Sequence, residues 1–368
     1  MKSKILKNMD WSVVICVLIL ITIGCIELFS VTGSSDYADL KKQLLWFAIS
    51  IPIVFAIVSI DYNTIAKLSK ILYVVMLALL IGVLFTKPIN GATSWYIIGS
   101  VSFQPSEFAK ICVILSLSLI ITNIQKDGRN QINRPLQLIK CMLVVGIPVV
   151  LIVLQPDYGT AIAFCLATAL ILIVAGLDKK YIITAILLVA IALPILYFFV
   201  LPNHAKTRID VFLNPNIDPR GSGYNVLQSK LAIGSGKIFG MGIKNGSQTQ
   251  LGYLYPQTTD FIYSAIGEEM GFVVAGLVII LYVILITRAI NIAKTAKDDL
   301  GSYIASGIAG IFIFHMVENI GMTMGLLPIT GVPLPFVSYG GSSLLTNCIL
   351  IGLLLNISGR RNKVMFSE

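Results

Sequence analysis

Charge is scarce in this chain. Asp, Glu, Lys and Arg supply 12% of its 368 residues while hydrophobic residues supply 56%, and a soluble domain carries about twice that charged share. A water-soluble globular fold is therefore excluded. Metal and redox spacings are missing as well: Cys16, Cys25, Cys112, Cys141, Cys165 and Cys348 lie in or beside apolar runs with no CxxC pair. They read as small buried residues rather than disulfides or metal ligands. No basic patch interleaved with aromatics occurs, which removes nucleic acid as a partner despite a net charge of +9. On so apolar a chain, excess Lys and Arg belong to cytoplasmic loops and anionic lipid headgroups.

What is abundant is apolar length. Mean hydropathy is +0.88, and ten stretches approach the roughly 20 residues a spanning helix needs. They lie near 11–32, 43–60, 68–86, 106–124, 137–154, 158–177, 181–201, 260–287, 302–325 and 341–358. The first follows Lys2, Lys4 and Lys7 as a signal peptide would. Its apolar run exceeds a signal core and no small-x-small site follows, so it reads as a retained helix. The fold class expected is all-α: one polytopic integral membrane domain over 1–368, with ten transmembrane helices and a long outer loop, about 202–259, between helices 7 and 8.

Cation counting orients it. With a cytoplasmic N-terminus, seventeen of the twenty-seven Lys and Arg fall on the inner side, among them Arg360, Arg361 and Lys363 at the other end of the chain. The short outer loops keep only Lys41, Lys42 and Lys87. Both termini are then cytoplasmic. The inner connections, such as DYNTIAKLSK, contain no nucleotide-binding loop. The outward side instead collects NGATSWYIIGSVSFQPSE, QPDYGT, the 202–259 segment and LLPITGVPLPFVSYGGSS. The last of these, with three prolines and three glycines between Pro328 and Gly341, cannot form one helix. Irregular backbone at membrane depth needs protein or a wet cavity around it, so this stretch is a rigid turn or a segment that dips back. In the 202–259 segment, apolar spacing from Tyr224 to Ile233 suits a short amphipathic helix along the outer interface. Six cations accompany it: Lys206, Arg208, Arg220, Lys230, Lys237 and Lys244. Each suits a lipid headgroup or a phosphate-bearing substrate. Arg208, where helix 7 ends, is near enough to the outer cavity to pair with a carboxylate or pyrophosphate.

Ionisable groups within spans cost roughly 2.5–3.5 kcal/mol each on insertion scales, which makes each a candidate for function or for a buried pair. Asp260 stands at the mouth of helix 8 after Thr258 and Thr259, either as an ordinary N-cap or as an ionised outward group. Ser264, Gly267 and Gly271 fall within about 40° of its direction, leaving a groove of small residues for close helix packing or a lipid tail. Glu268 and Glu269 lie roughly 12 Å deeper and are assigned to buried pairing. Glu107 and Lys110, three apart, form an internal ion pair. His315, Glu318 and Asn319 share a helix face as a buried hydrogen-bonded cluster. Asp157, in QPDYGT, is the remaining outward acid.

Five motifs in order then carry a resemblance: NGATSW with FQPSEFAK; QPDYGTA; RIDVFLNP followed by GYNVLQSKLAIGSGKIFGMG; TDFIYSAIGEEMG; and ENIGMTMGLLPITGVPLPFVSYGGSS. The chain resembles the SEDS family (shape, elongation, division and sporulation), and within it the RodA-like elongation branch. That resemblance implies a peptidoglycan glycosyltransferase that polymerises lipid II into glycan strands on the outer face of the bacterial cytoplasmic membrane. A class B penicillin-binding protein would be its partner. It implies that Asp260 is the catalytic base, deprotonating the sugar 4-hydroxyl, and that Trp95, Glu107, Lys110, Asp157, Arg208, Gln228, Ser338 and Gly340 bind substrate. Arg208 and Lys110 are the cations named for the leaving pyrophosphate. A divalent cation, Mg or Mn, is compatible with that task, although no dedicated ligand set is present. One departure stands out: the family's Pro-Glu five and four residues before the aspartate, and the frequent His two before it, are here Tyr255, Pro256 and Thr258. Fine loop geometry is therefore not carried over. The competing readings are a lipid-linked precursor flippase or transporter, a division or sporulation paralogue, and a noncatalytic scaffold.

Overall fold

A computed structural model describes residues 7–33, 36–88, 92–99, 101–219 and 221–361. Lys2, Lys4, Arg220, Lys363 and the Asn90-Gly91 start of NGATSW lie outside the described residues. Apolar runs set most of the helices: α1 (Trp11–Val31), α2 (Ala38–Ser59), α3 (Tyr62–Val83), α4 (Pro105–Ile124), α5 (Pro135–Leu154), α6 (Tyr158–Val174) and α7 (Lys179–Ile195). After α7 come α8 (Asn203–Leu213) and α9 (Ser222–Ser235), both inside the expected outer loop. The chain ends with α10 (Ile262–Glu269), α11 (Gly271–Lys294), α12 (Asp299–Thr323) and α13 (Gly341–Arg360). Among the described residues, nine helices are long and apolar enough to cross a membrane. The tenth expected span, α6, has 17 residues, or about 26 Å at 1.5 Å each, just short of a ~30 Å hydrocarbon core. A small hairpin, β1 (Tyr96–Ile98) with β2 (Val101–Phe103), is the exception to helix, pairing Tyr96 with Phe103.

Local chemistry marks the helix starts. Asp61, Asp157 and Asp298 accept from the backbone N–H of Asn63, Thr160 and Gly301 at the heads of α3, α6 and α12, and α4 and α5 open on proline. Burial sorts the layers. α4, α12 and α13 have 72%, 78% and 89% of their apolar windows buried, whereas α7 has 0%. The first three form the centre and α7 stands outside, exposed along with Phe198 and Phe199 beyond its end. Gly310 of α12 lets the backbone of Ala167 on α6 approach so closely that a Cβ would sit 2.8 Å from the Ala167 Cα, the packing that membrane helices reach with small residues.

The expected single helix over 260–287 is two helices, and hydrogen bonding explains the break. At its end, the Glu268 and Glu269 carbonyls accept from the N–H groups of Met241 and Gly242 at 2.9 and 3.0 Å. Beyond it, the Phe272 and Val273 N–H groups donate to Lys237 and Ile238 carbonyls at 2.9 and 3.2 Å. A loop from 237 to 242 thus completes both helix ends, and Gly271, at φ +75°, makes the turn between them. The helix expected along the interface, α9, packs on α10: Ser264 Oγ donates to Ser229 Oγ, which donates to the Thr323 carbonyl, both at 2.6 Å. Gly267 faces Ile233, and Gly236 lies against the Gly267 carbonyl. The small-residue groove below Asp260 is filled by protein.

Candidate active site

Asp260 sits two residues before α10, whose N-cap position is Phe261, so the ordinary N-cap reading does not hold. Its turn is pinned by three consecutive carbonyls. Thr258 O accepts from Tyr339 N at 2.9 Å, Thr259 O from Ser338 Oγ at 2.6 Å, and Asp260 O from Asn319 Nδ2 at 3.0 Å. Two of those donors belong to the irregular strap, residues 324–340, that joins α12 to α13. The strap in turn is held by its own Leu334 N donating to Ser338 Oγ at 2.8 Å, by Gln43 of α2 donating to Ser338 O at 3.1 Å, and by the Tyr282 hydroxyl donating to Pro335 O. The backbone is fixed while the half-buried side chain faces Gly331. That glycine has φ +76°, and a Cβ on it would stand 3.4 Å from Asp260 Oδ2.

Electrostatics around Asp260 suit proton abstraction. Burial pushes its carboxyl up to about 6, against the opposing pull of the Thr259 hydroxyl and the Arg208 guanidinium. A carboxylate poised there is ionised at pH 7 yet is a stronger base than an ordinary aspartate. Arg208, on α8, also donates from Nη1 to Thr330 O at 3.4 Å, which places the cation beside the strap.

The other expected residues fall into distinct settings. Asp157 heads α6 and accepts from Gln104 Nε2 at 3.1 Å and Ser106 Oγ at 3.4 Å. Burial raises its carboxyl, partly offset by Thr160. Its neighbour Gly159 lies under the strap, where a Cβ would run into Val332 and stand 3.1 Å from Thr330 Cβ. QPDYGT therefore docks on the strap rather than standing free. Glu107 and Lys110 form the expected ion pair at 2.8 Å, 2% and 0% exposed; the ammonium also meets His315 Nε2 at 3.2 Å, so it is enclosed rather than presented to a ligand. Ser338 spends its hydroxyl on Thr259 and Leu334, and Gly340 N donates to Gln43 Oε1 at 3.3 Å. Trp95 is half-buried in the lead to β1, and Ser342 ties that hairpin to α13 through Gln104 N and Ser102 O, each at 3.3 Å. Gln228 is half-buried on α9.

Two glutamates depart from expectation. Glu268 and Glu269 have no cation within ion-pair distance among the described residues; amides and hydroxyls hold them. Glu268 accepts from Gln248 N, Thr249 N and Thr249 Oγ1 at 2.8, 2.9 and 2.6 Å. Glu269 accepts from Lys244 N at 3.0 Å, Gln250 Nε2 at 2.7 Å and Ser30 Oγ. Backbone N–H groups stabilise a buried carboxylate as a counter-ion would, without a second desolvated charge. Of the helix-face cluster, Glu318 accepts from Thr330 Oγ1 at 2.8 Å, while His315 and Asn319 bond the strap rather than each other. Sequence reading missed Gln43, 1% exposed. Its only signal is a polar side chain directly after Lys41 and Lys42 where an apolar run begins.

This arrangement and the motif order have known counterparts. The profile of the cell cycle protein family of FtsW, RodA and SpoVE matches residues 7–363. The chain belongs to that family. Among relatives, the peptidoglycan glycosyltransferase MrdB of Escherichia coli K12 is 34% identical over 355 residues, covering 96% of this chain and 94% of that one. Stage V sporulation protein E of Bacillus subtilis is 37% identical over 363 residues, covering 95% and 96%. Among solved structures, a chain of a peptidoglycan synthase complex that coordinates polymerization and crosslinking superposes with a TM-score of 0.81 at 28% identity, covering 95% and 97%. The rod shape determining protein RodA of Thermus thermophilus superposes at 0.72 and 26% identity, covering 96% and 98%. As in its family, the fold is a polytopic bundle of membrane helices. Among the described residues no three of His, Cys, Asp and Glu converge to hold a metal ion.

Proposed function

We propose that this SEDS-family chain is a peptidoglycan glycosyltransferase that polymerises lipid II during cell elongation, with Asp260 as general base. The observation that carries the reading is the Asp260 turn itself: a backbone locked at three successive carbonyls, a half-buried carboxyl pushed up to about 6, and a guanidinium close enough to oppose that rise. Asp260 takes the proton from the sugar 4-hydroxyl, whose oxygen attacks the anomeric carbon of the polyprenyl-pyrophosphate-linked strand. The bond from that carbon to the pyrophosphate oxygen breaks as the new one forms. An inverting transfer of this kind needs one base and no nucleophilic carboxylate. Arg208 meets the charge that develops on the departing pyrophosphate.

The site faces outward in this reading, and both termini are cytoplasmic. Its support is the cation distribution: Arg129, Arg288 and Arg360 pair with Asp299, Asp10 and Asp61 at the bundle end away from Asp260, at 3.0, 3.9 and 3.6 Å, the basic end expected inside. A class B penicillin-binding protein, which cross-links the strands, is the partner. The test supplies wild type and Asp260→Asn, each with that partner, with lipid II in detergent, and resolves glycan polymer on a gel. Polymer from wild type and none from the variant is expected. Equal polymer from both would remove Asp260 from catalysis.

A further inference from the structure

What holds Asp260 in place is itself specific, and the argument rests on the glycosyltransferase reading above. Val332 and Pro333 are consecutive on the strap, and both carbonyls are taken by one face of α12. His315 Nδ1 lies 3.0 Å from Pro333 O. Asn319 Nδ2 donates to Val332 O at 2.8 Å and to Asp260 O at 3.0 Å. The two side chains stand four residues apart, one above the other on the helix, and are 1% and 0% exposed. Each is chemically constrained. A carbonyl only accepts, so the ring nitrogen facing Pro333 carries the proton, and Nε2 is left as an acceptor. The group it meets, the Lys110 ammonium at 3.2 Å, is a pure donor. Both neighbours select the same neutral tautomer. Asn319 is oriented in the same way, since a flipped amide would turn its oxygen toward two carbonyl oxygens.

We propose that His315 and Asn319 are positioning residues for the transfer reaction. They form a two-point clamp on α12 that sets the strap at 332–333 and the Asp260 turn in one register. Glu107 and Lys110 then act on the reaction through the imidazole they lock, not by touching substrate. The clamp joins three parts of the chain: α4 by Lys110, the strap by two carbonyls, and the Asp260 turn by one.

The test measures the rate of lipid II consumption against lipid II concentration for the full chain with its partner, in wild type, Asn319→Leu, His315→Gln and His315→Asn. Leucine keeps the branched outline of Asn319 and removes both donors. An Asn amide overlies Nδ1 of His and a Gln amide overlies Nε2, so only His315→Asn keeps the donor to Pro333. A misplacement of about 1 Å costs up to ~100-fold in turnover, so kcat should fall roughly 10- to 100-fold in Asn319→Leu and His315→Gln. KM should stay within about 2-fold, and His315→Asn should recover most of the loss. Equal losses in the two His315 variants, a wild-type kcat in Asn319→Leu, or a change confined to KM overturns the clamp. Should Asn319→Leu not fold, Asn319→Ser, with one donor, replaces it, and full kcat there overturns the clamp equally. Wild type that makes no polymer overturns the glycosyltransferase reading and the clamp with it, whereas active wild type with unimpaired variants overturns the clamp alone.

Discussion

Gly159→Ala is a small change with a large expected effect. Its added methyl would run into Val332 Cγ2 and stand 3.1 Å from Thr330 Cβ, so the strap must retreat by about 1 Å to restore ordinary carbon–carbon separations of ~3.5–4 Å. Overpacking of this kind costs roughly 1–3 kcal/mol. The functional effect is larger, because Val332 and Thr330 flank Gly331, which faces Asp260 Oδ2, and Thr330 O also anchors Arg208. A ~1 Å shift of aligned groups lowers turnover by up to ~100-fold. Polymerisation of lipid II by Gly159→Ala should therefore fall by roughly 10- to 100-fold. Val332→Ala deletes the methyl that blocks the way, so the double variant should recover a large part of that rate, with a coupling of about 1–2 kcal/mol. Wild-type polymerisation by Gly159→Ala, or no recovery in the double variant, would refute the docking of QPDYGT on the strap as the cause.

Further expectations follow from single sites. Asp260 must be ionised to act, so kcat/KM should rise with pH through about 6 and level off above it; Arg208→Ala, which removes a lowering influence, should move that limb to higher pH. Because the folded state raises the Asp260 pKa, folding binds its proton more tightly. Its contribution to stability is best at low pH and is lost as pH rises through about 6. Asp260→Asn should accordingly raise the unfolding midpoint in detergent more at pH 8 than at pH 5. Glu268→Gln turns an NH₂ toward the N–H of either Gln248 or Thr249 whichever way the amide lies, and should cost about 1–3 kcal/mol, read as faster proteolysis of the 237–250 loop. Lys110→Met leaves Glu107 buried without its cation and should destabilise by roughly 3–5 kcal/mol, with Lys110→Met/Glu107→Gln recovering part of the loss in thermal unfolding.

The membrane class, nearly every span and the ion pair of Glu107 and Lys110 were legible because each follows from local rules: run length, hydropathy and an i,i+3 spacing. The split at Met270 and Gly271 was not. The residues that complete those helix ends, 237–242, lie some thirty positions earlier, and no periodicity reports a hydrogen bond across that distance. The same reason hid the anchoring of Glu268 and Glu269. Three acids in fifteen residues look like one cluster, yet two of them serve the 244–250 segment and one serves the strap.

For Asp260 the division is plain. Composition and motif order identify a membrane enzyme of the SEDS family and single out this aspartate, since residue type and order are written along the chain. Its raised basicity, the three pinned carbonyls and the Gln43, His315 and Asn319 contacts come only from folding. They depend on α2, α12 and the strap meeting at one end of the bundle, and burial and hydrogen-bond direction exist only once those separate segments share a space.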